Sequence, residues 1–301
     1  MSVVDVTPQV LAGMPLPQAP QDGDKEDRGR VLVVAGSPEV PGAAVLAALA
    51  SLRVGAGKLR MAATADIVRA LALAVLEARV VAVPGDADGP FGDAAASALA
   101  AMAERCDAVV VGPGMLNEAP ARALALALLE AEAKALYVID AGALPGLDGA
   151  ERFAAAARGR VVLTPHAGEM AGMLGLEKAQ VLADPLAVAR EAAERFGATV
   201  VMKGATTHVV APDGRAWRHE GGVVGLGASG SGDVLSGVIG GLLARGLEPA
   251  EAAVWSVHLH ASAGEVLSQS IGPLGFLARD LLVELPRVMA AKDTLARSER
   301  P

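Results

Sequence analysis

The 301-residue chain reads as a single doubly wound α/β domain, a mostly parallel sheet with helices on both faces. Three observations predict it. Short β-branched runs alternate with alanine-rich segments suited to helix. The runs are apolar throughout rather than at every second residue, which marks strands covered on both faces. The eight regular strand–helix units that would close a barrel are missing from the last third of the chain.

In chain order, residues 1–29 are proline-rich and then charged, and read as an arm leading into the domain at 30–293, with 294–301 as a tail. VLVVA (31–35) predicts the first strand and is followed by a helix over 42–54. LRMAA (59–63) and RVVAV (79–83) follow, each leading into a helix, near 65–77 and 93–104. AVVVG (108–112), LYVID (136–140), RVVLT (160–164) and TVVMK (199–203) continue the alternation. THVVAPDG (207–214) and RAWRHE (215–220) then read as a hairpin turning at Pro-Asp-Gly. A glycine-rich loop, GLGASGSGD (225–233), opens three helical segments near 232–244, 249–268 and 275–290.

Composition narrows the partners. The net charge is −8 with no Lys/Arg cluster, which argues against nucleic acid, because binding a phosphate backbone needs a basic face. Cys106 is the single cysteine, so an internal disulfide and a Cys-based zinc cluster are excluded. No run of about 18 apolar residues spans a membrane and residues 1–15 do not read as a signal peptide, so the chain is expected to be cytoplasmic.

Ligands of open parallel sheets sit beyond the carboxyl ends of the strands, and chemistry-bearing residues gather there in this sequence. Gly36, Ser37 and Ala43 follow the first strand, and Gly112 and Gly114 follow AVVV. Asp140 follows LYVI and reads as a cap for the next helix. His166 and Glu169, three apart at a helix start, share a face and could meet one ligand or metal. Lys203 ends a buried strand, where its charge is costly unless something anionic meets it. Neither a P-loop nor a dinucleotide fingerprint follows the first strand, so the anion grip is expected late, at Gly225, Gly227, Gly230 and Gly232. Asp233, at the same helix start, is placed to take a proton from a substrate hydroxyl, with the helix dipole expected to keep it ionised. His258 and His260 point to different faces of one helix and read as packing residues.

Six segments in this order, AGSPEVPGAAVLAALASLRVGAGKL (35–59), VVGPGM (110–115), VIDAGAL (138–144), LTPHAGEM (163–170), VMKGATT (201–207) and GASGSGDVLSG (227–237), resemble the ribokinase-like superfamily, and within it the ADP-dependent NAD(P)H-hydrate dehydratases. The resemblance implies a ribokinase-like fold and a repair reaction that removes water from 6-hydroxylated NADH or NADPH, with Mg²⁺ and with ADP converted to AMP and phosphate. It implies that Ala43, Gly114, His166 and Asp233 contact the hydrated dinucleotide, and that Lys203, Gly204, Ala205, Thr206, Thr207 and Gly232 hold the AMP part. Asp233 is implied as catalytic base and Glu169 as organiser of Mg²⁺ through water. It further implies a homotetramer. With about 30 residues before the first strand, the upstream epimerase domain of many members is not expected here, so a separate epimerase is. The chain departs from the family where Pro often follows the histidine, since Ala167 stands there. Two other readings remain open at this point: an ATP-dependent small-alcohol kinase of the same fold, and a nucleotide-binding protein without turnover, against which Asp233 argues.

Overall fold

A computed structural model describes residues 2–18, 22–84, 93–131 and 133–298. The chain opens with β1 (Val3–Asp5) and α1 (Pro8–Ala12), and the alternating region begins with β2 (Arg30–Val34), α2 (Pro41–Arg53), β3 (Lys58–Thr64), α3 (Val68–Ala74) and β4 (Arg79–Val83). It continues through α4 (Asp93–Ala103), β5 (Ala108–Val111), α5 (Glu118–Glu130), β6 (Leu136–Ile139), α6 (Ala150–Ala157) and β7 (Val161–Leu163). Three helices, α7 (Ala167–Leu174), α8 (Lys178–Ala183) and α9 (Pro185–Phe196), precede β8 (Thr199–Met202). The hairpin β9 (Thr206–Val210) and β10 (Ala216–Glu220) leads to α10 (Ser231–Ala244), α11 (Pro249–Ser270) and α12 (Ala278–Ser298).

The ten strands among the described residues form one sheet in the order β1-β10-β9-β8-β7-β6-β5-β2-β3-β4. From β8 across to β4 every pairing is parallel; β9 is antiparallel to both of its neighbours, and β1 joins β10 in parallel. The chain winds outward from β2 to β4, returns to place β5 on the other side of β2, and then winds the opposite way. That reversal opens a crevice between the carboxyl ends of β2 and β5, the usual ligand position in such sheets.

The period of two along each strand divides the interior into two layers. Val31, Val33, Val110, Val138, Val162 and Val201 face the layer closed by α2, α3, α10, α11 and α12. Leu32, Val34, Val109, Val111, Tyr137, Ile139 and Leu163 face the layer closed by α4, α5, α6, α7 and α9. Both faces are therefore dry, which is why the strands read as unbroken apolar runs.

The opening arm differs from its expectation. Val3–Asp5 extends the sheet, and Leu11 and Leu16 are buried in the first layer. The indole nitrogen of Trp255 donates to the Met14 carbonyl at 2.6 Å, and Arg245 donates to the carbonyls of Pro17 at 2.6 Å and Val54 at 2.7 Å. Residues 1 and 19–21 of that arm, and 299–301 of the expected tail, lie outside the described residues, while α12 runs through 294–298. No helix among the described residues is long and apolar enough to cross a membrane.

Candidate active site

At the sheet reversal, Gly36 donates its N–H to the Pro113 carbonyl at 2.7 Å, drawing the loops after β2 and β5 together. Gly114 has φ +69°, and a Cβ there would stand 2.7 Å from the Ala43 methyl and 2.8 Å from the Val40 carbonyl. Only glycine allows that backbone and that approach. Ala43 and Gly114, distant in sequence, thus form one wall of the crevice.

Beyond β7, Ala167–Leu174 is capped by a reciprocal pair. His166 Nδ1 accepts from the N–H groups of Gly168 at 3.0 Å and Glu169 at 3.1 Å, while Glu169 Oε2 accepts from the His166 N–H at 2.8 Å. With Nδ1 accepting, the neutral ring carries its proton on Nε2, which lies 3.6 Å from Glu169 Oε1 on an exposed side chain. A parallel bridge between His166 and Lys203 sets the ends of β7 and β8 side by side.

Lys203 Nζ lies 3.2 Å from Asp140 Oδ1 and 3.6 Å from Glu169 Oε2. Burial works against its charge, but the two carboxylates outweigh burial and hold its pKa above the ordinary lysine value. Asp140 departs from the cap expected of it. Its side chain caps no helix; it is 2% exposed and accepts from Thr164 Oγ1 at 2.7 Å, Ser236 Oγ at 2.6 Å and Lys203. A carboxylate so enclosed needs every one of those donors, and it ties β6, β7, β8 and α10 together under the site.

The glycine loop divides by role. Gly230 takes φ +88° at the N-cap of α10, and the Cβ position of Gly232 lies 3.5 Å from Lys203 Nζ. Gly225, expected to approach an anion, instead packs on Phe276, whose ring would be 2.3 Å from an added Cβ. Asp233 follows in the first turn, and its Oδ2 is 3.9 Å from where a Gly230 Cβ would stand, a point also 2.5 Å from Leu46, one turn along α2 from Ala43. Its carboxyl therefore faces the crevice side. The expectation that the helix dipole keeps it ionised is corrected here: burial and the negative charges of Asp140 and Glu169, opposed by Lys203, push its pKa up to about 7. The dipole contributes a fraction of a unit, and burial beside two carboxylates exceeds it.

A cavity of about 540 Å³ adjoins this turn, a volume suited to a nucleotide-sized ligand. Its lining combines Lys203, Gly204, Ala205, Thr207, Gly232 and His166 with the apolar side chains of Val223, Leu226, Leu235, Val257 and Ala261. Thr206, Glu169, Asp233, Ala43 and Gly114 lie outside that lining, the last four toward the crevice or the α7 cap and Thr206 on β9. A lysine with glycine-rich backbone suits a phosphate, and the apolar side chains suit a base, so the lining has both kinds of surface that a nucleotide needs.

A family model for NAD(P)H-hydrate dehydratase matches residues 31–287. The chain belongs to the NAD(P)H-hydrate dehydratase family. It is 45% identical, over 94% of its length and 95% of the relative, to the ADP-dependent (S)-NAD(P)H-hydrate dehydratase of Xanthomonas campestris pv. campestris. It is 37% identical to the bifunctional NAD(P)H-hydrate repair enzyme of Moorella thermoacetica, covering 91% of this chain and 52% of that one. Among solved structures, the ADP/ATP-dependent NAD(P)H-hydrate dehydratase of Bacillus subtilis co-crystallized with ATP/Mg²⁺ superimposes with a TM-score of 0.81 at 27% identity, covering 97% of this chain and 99% of that one. The ribokinase-like expectation for the fold is borne out by these neighbours.

Within this NAD(P)H-hydrate dehydratase fold, sequence reasoning missed the histidines of the cavity wall. His219 lines the cavity, its Nε2 3.1 Å from His258 Nδ1, and burial lowers both, His258 to about 3. His258 packs as expected, but His260 lines the cavity and bonds to Ser231. Spacing along α11 separates the two rings without saying which elements they meet.

Proposed function

We propose that the chain dehydrates the (S) form of 6-hydroxylated NADH or NADPH at the expense of ADP, releasing AMP, inorganic phosphate and the restored dinucleotide. One observation carries the assignment of roles: Gly232 lines the nucleotide-sized cavity, while its neighbour Asp233 lies outside that lining, its carboxyl on the Leu46 side of the turn, with a pKa of about 7. A carboxyl with that pKa is half ionised at neutral pH and suits proton abstraction from a hydroxyl.

In this reading the nucleotide lies in the cavity, with Lys203 through Thr207 and the Gly232 amide around its phosphates. Asp233 takes the proton of the C6 hydroxyl as its oxygen attacks the terminal phosphorus of ADP, and the bond to the AMP phosphate breaks. The ring nitrogen then pushes its lone pair toward C6, the C–O bond breaks and phosphate leaves with the electrons, and the resulting iminium loses a C5 proton to the departing phosphate, closing the C5–C6 double bond of the restored dinucleotide. His166 presents Nε2–H to the dinucleotide, and Lys203, held charged by Asp140, faces the phosphates.

Mg²⁺ fits the donors present. Glu169 spends Oε2 on the α7 cap, while Oε1, 3.6 Å from His166 Nε2, keeps acceptor capacity for a hydrated cation, and one carboxylate with nucleotide phosphates is an ordinary setting for this ion. No group of three or more His, Cys, Asp or Glu forms a protein-only cage among the described residues. The ion would neutralise charge on the transferring phosphoryl group. A separate epimerase supplying the (S) form, a homotetrameric assembly and a cytoplasmic setting complete the proposal.

The test is hydrated NADH with ADP and Mg²⁺, followed by the return of reduced-nicotinamide absorbance and by chromatography for AMP and phosphate. The expected result is one AMP per NADH restored. A stable phosphorylated product without NADH would make the protein a kinase, and no return with either ADP or ATP would overturn the dehydratase.

A further inference from the structure

The residues of α11 that line the cavity are the apolar Val257 and Ala261 and, between them, His260. The His260 Nε2 lies 3.0 Å from the carbonyl oxygen of Ser231 and 3.1 Å from its Oγ. A carbonyl only accepts, so Nε2 carries the proton and donates. Ser231 is the first residue of α10, directly before Gly232, and its own N–H bonds back to the Ala228 carbonyl at 3.2 Å. The turn that faces the cavity is thereby held from within by its backbone and from outside by the ring.

We propose that His260 is a positioning residue for the nucleotide: by gripping Ser231 it fixes the direction of the Gly232 amide toward the phosphates. The ring acts through Ser231 and does not itself need to touch the reacting atoms. Its deep setting keeps it neutral, with its pKa lowered to about 4, so it supplies a donor without adding a second cation beside Lys203. A leucine would fill the same space among apolar neighbours; what it lacks is the donor. The inference rests on a nucleotide occupying this cavity, not on the dehydration step.

The experiment compares His260→Leu and His260→Gln, the latter carrying an amide donor of similar reach. ADP affinity is read by calorimetry, KM and kcat by the absorbance assay, and folding by thermal melting. His260→Leu is expected to weaken ADP binding about tenfold, the scale of one lost hydrogen bond to a fixed group, with the KM for the hydrated dinucleotide within about twofold. His260→Gln should recover most of that loss. Equal weakening in both variants, or unchanged ADP affinity in His260→Leu, overturns the proposal. Should His260→Leu fail to fold, His260→Asn replaces it, because its amide falls short of Ser231, and weakening relative to His260→Gln is again expected. A wild-type protein that binds ADP without restoring NADH sinks the dehydratase reading and leaves this one standing; one that binds no ADP sinks this one.

Discussion

The two ends of α10 are adjacent in sequence and opposite in purpose. From Ser231 to Ser236 the helix presents Gly232, Asp233 and two serines whose hydroxyls meet His260 and Asp140. From Gly237 to Ala244 it is buried throughout. Glycine recurs in both parts for different reasons. Gly230 supplies the left-handed backbone of the N-cap and Gly232 lines the cavity, whereas a Cβ on Gly237 would stand 2.1 Å from the Ala47 carbonyl, and one on Gly240 2.4 Å from Val110. The second set lets α2 and the sheet come close enough to seal the core. One helix thus spends its first turn and a half on chemistry and the remainder on cohesion, and substitutions should separate the two.

Asp233→Asn should break the first part hardest. Turnover is expected to fall at least about 100-fold, the low end for loss of a general base, measured by initial rates at saturating ADP. Stability should move the other way. The folded pKa lies above the unfolded 3.8, so the ionised group destabilises above about pH 7, and removing it should raise the melting temperature there. Near-normal turnover in this variant would end the assignment.

Gly237→Ala tests the other part. The added methyl meets backbone, and unfolding free energy should drop by about 1–3 kcal/mol in a urea titration, with kcat of the folded protein within about threefold. A large loss of kcat without a loss of stability would erase the division drawn here.

A smaller effect comes from acid. On the pKa of Asp233, kcat/KM should decline toward tenfold per unit as pH falls below about 7. A flat profile down to pH 5 would show that Asp233 is not titrating in the free enzyme.

The smallest effect concerns stability in the same range. His258 and His260 have pKa values lowered to about 3 and about 4, so the unfolded chain binds more protons between about pH 4 and 6.5. Each contributes stability that is present above that window and lost as pH falls through it, at up to about 1.4 kcal/mol per unit. Asp233 has the opposite sign and offsets one of them. His219 and His208, lowered chiefly by burial, add to the histidine side, so urea unfolding at several pH values should show stability falling as pH drops through this window, and His258→Gln should lessen the slope.

Much of the sheet was legible because burial on both faces writes unbroken Val, Ile and Leu into each strand. That Lys203, Gly232 and Asp233 stand near one another follows the sequence, because a charge closing an apolar run and an acid after a glycine loop both call for partners at the carboxyl ends of the strands. Asp140 was misread as a cap, since an aspartate before a short helix says nothing of the three donors that β7, β8 and α10 bring to it. His260 was passed over for the same reason: its partner is fixed by how α11 crosses α10. Gly225 was read with its neighbours, although a ring 50 residues later explains it. The opening arm hid its three-residue strand behind prolines. In each miss the deciding contact is long-range, and local pattern carries no trace of it.

The chain's few chromophores are sorted by the sheet. Both tryptophans, Trp217 and Trp255, lie in the layer beneath α10 and α11, whereas Tyr137, the single tyrosine, and Cys106, the single thiol, lie in the opposite layer. The natural sequence is therefore labelled on each side: indole fluorescence follows one core, and tyrosine signal or thiol reactivity follows the other. Whether the two layers come apart together or in succession can be read from the unmodified protein, with no probe introduced.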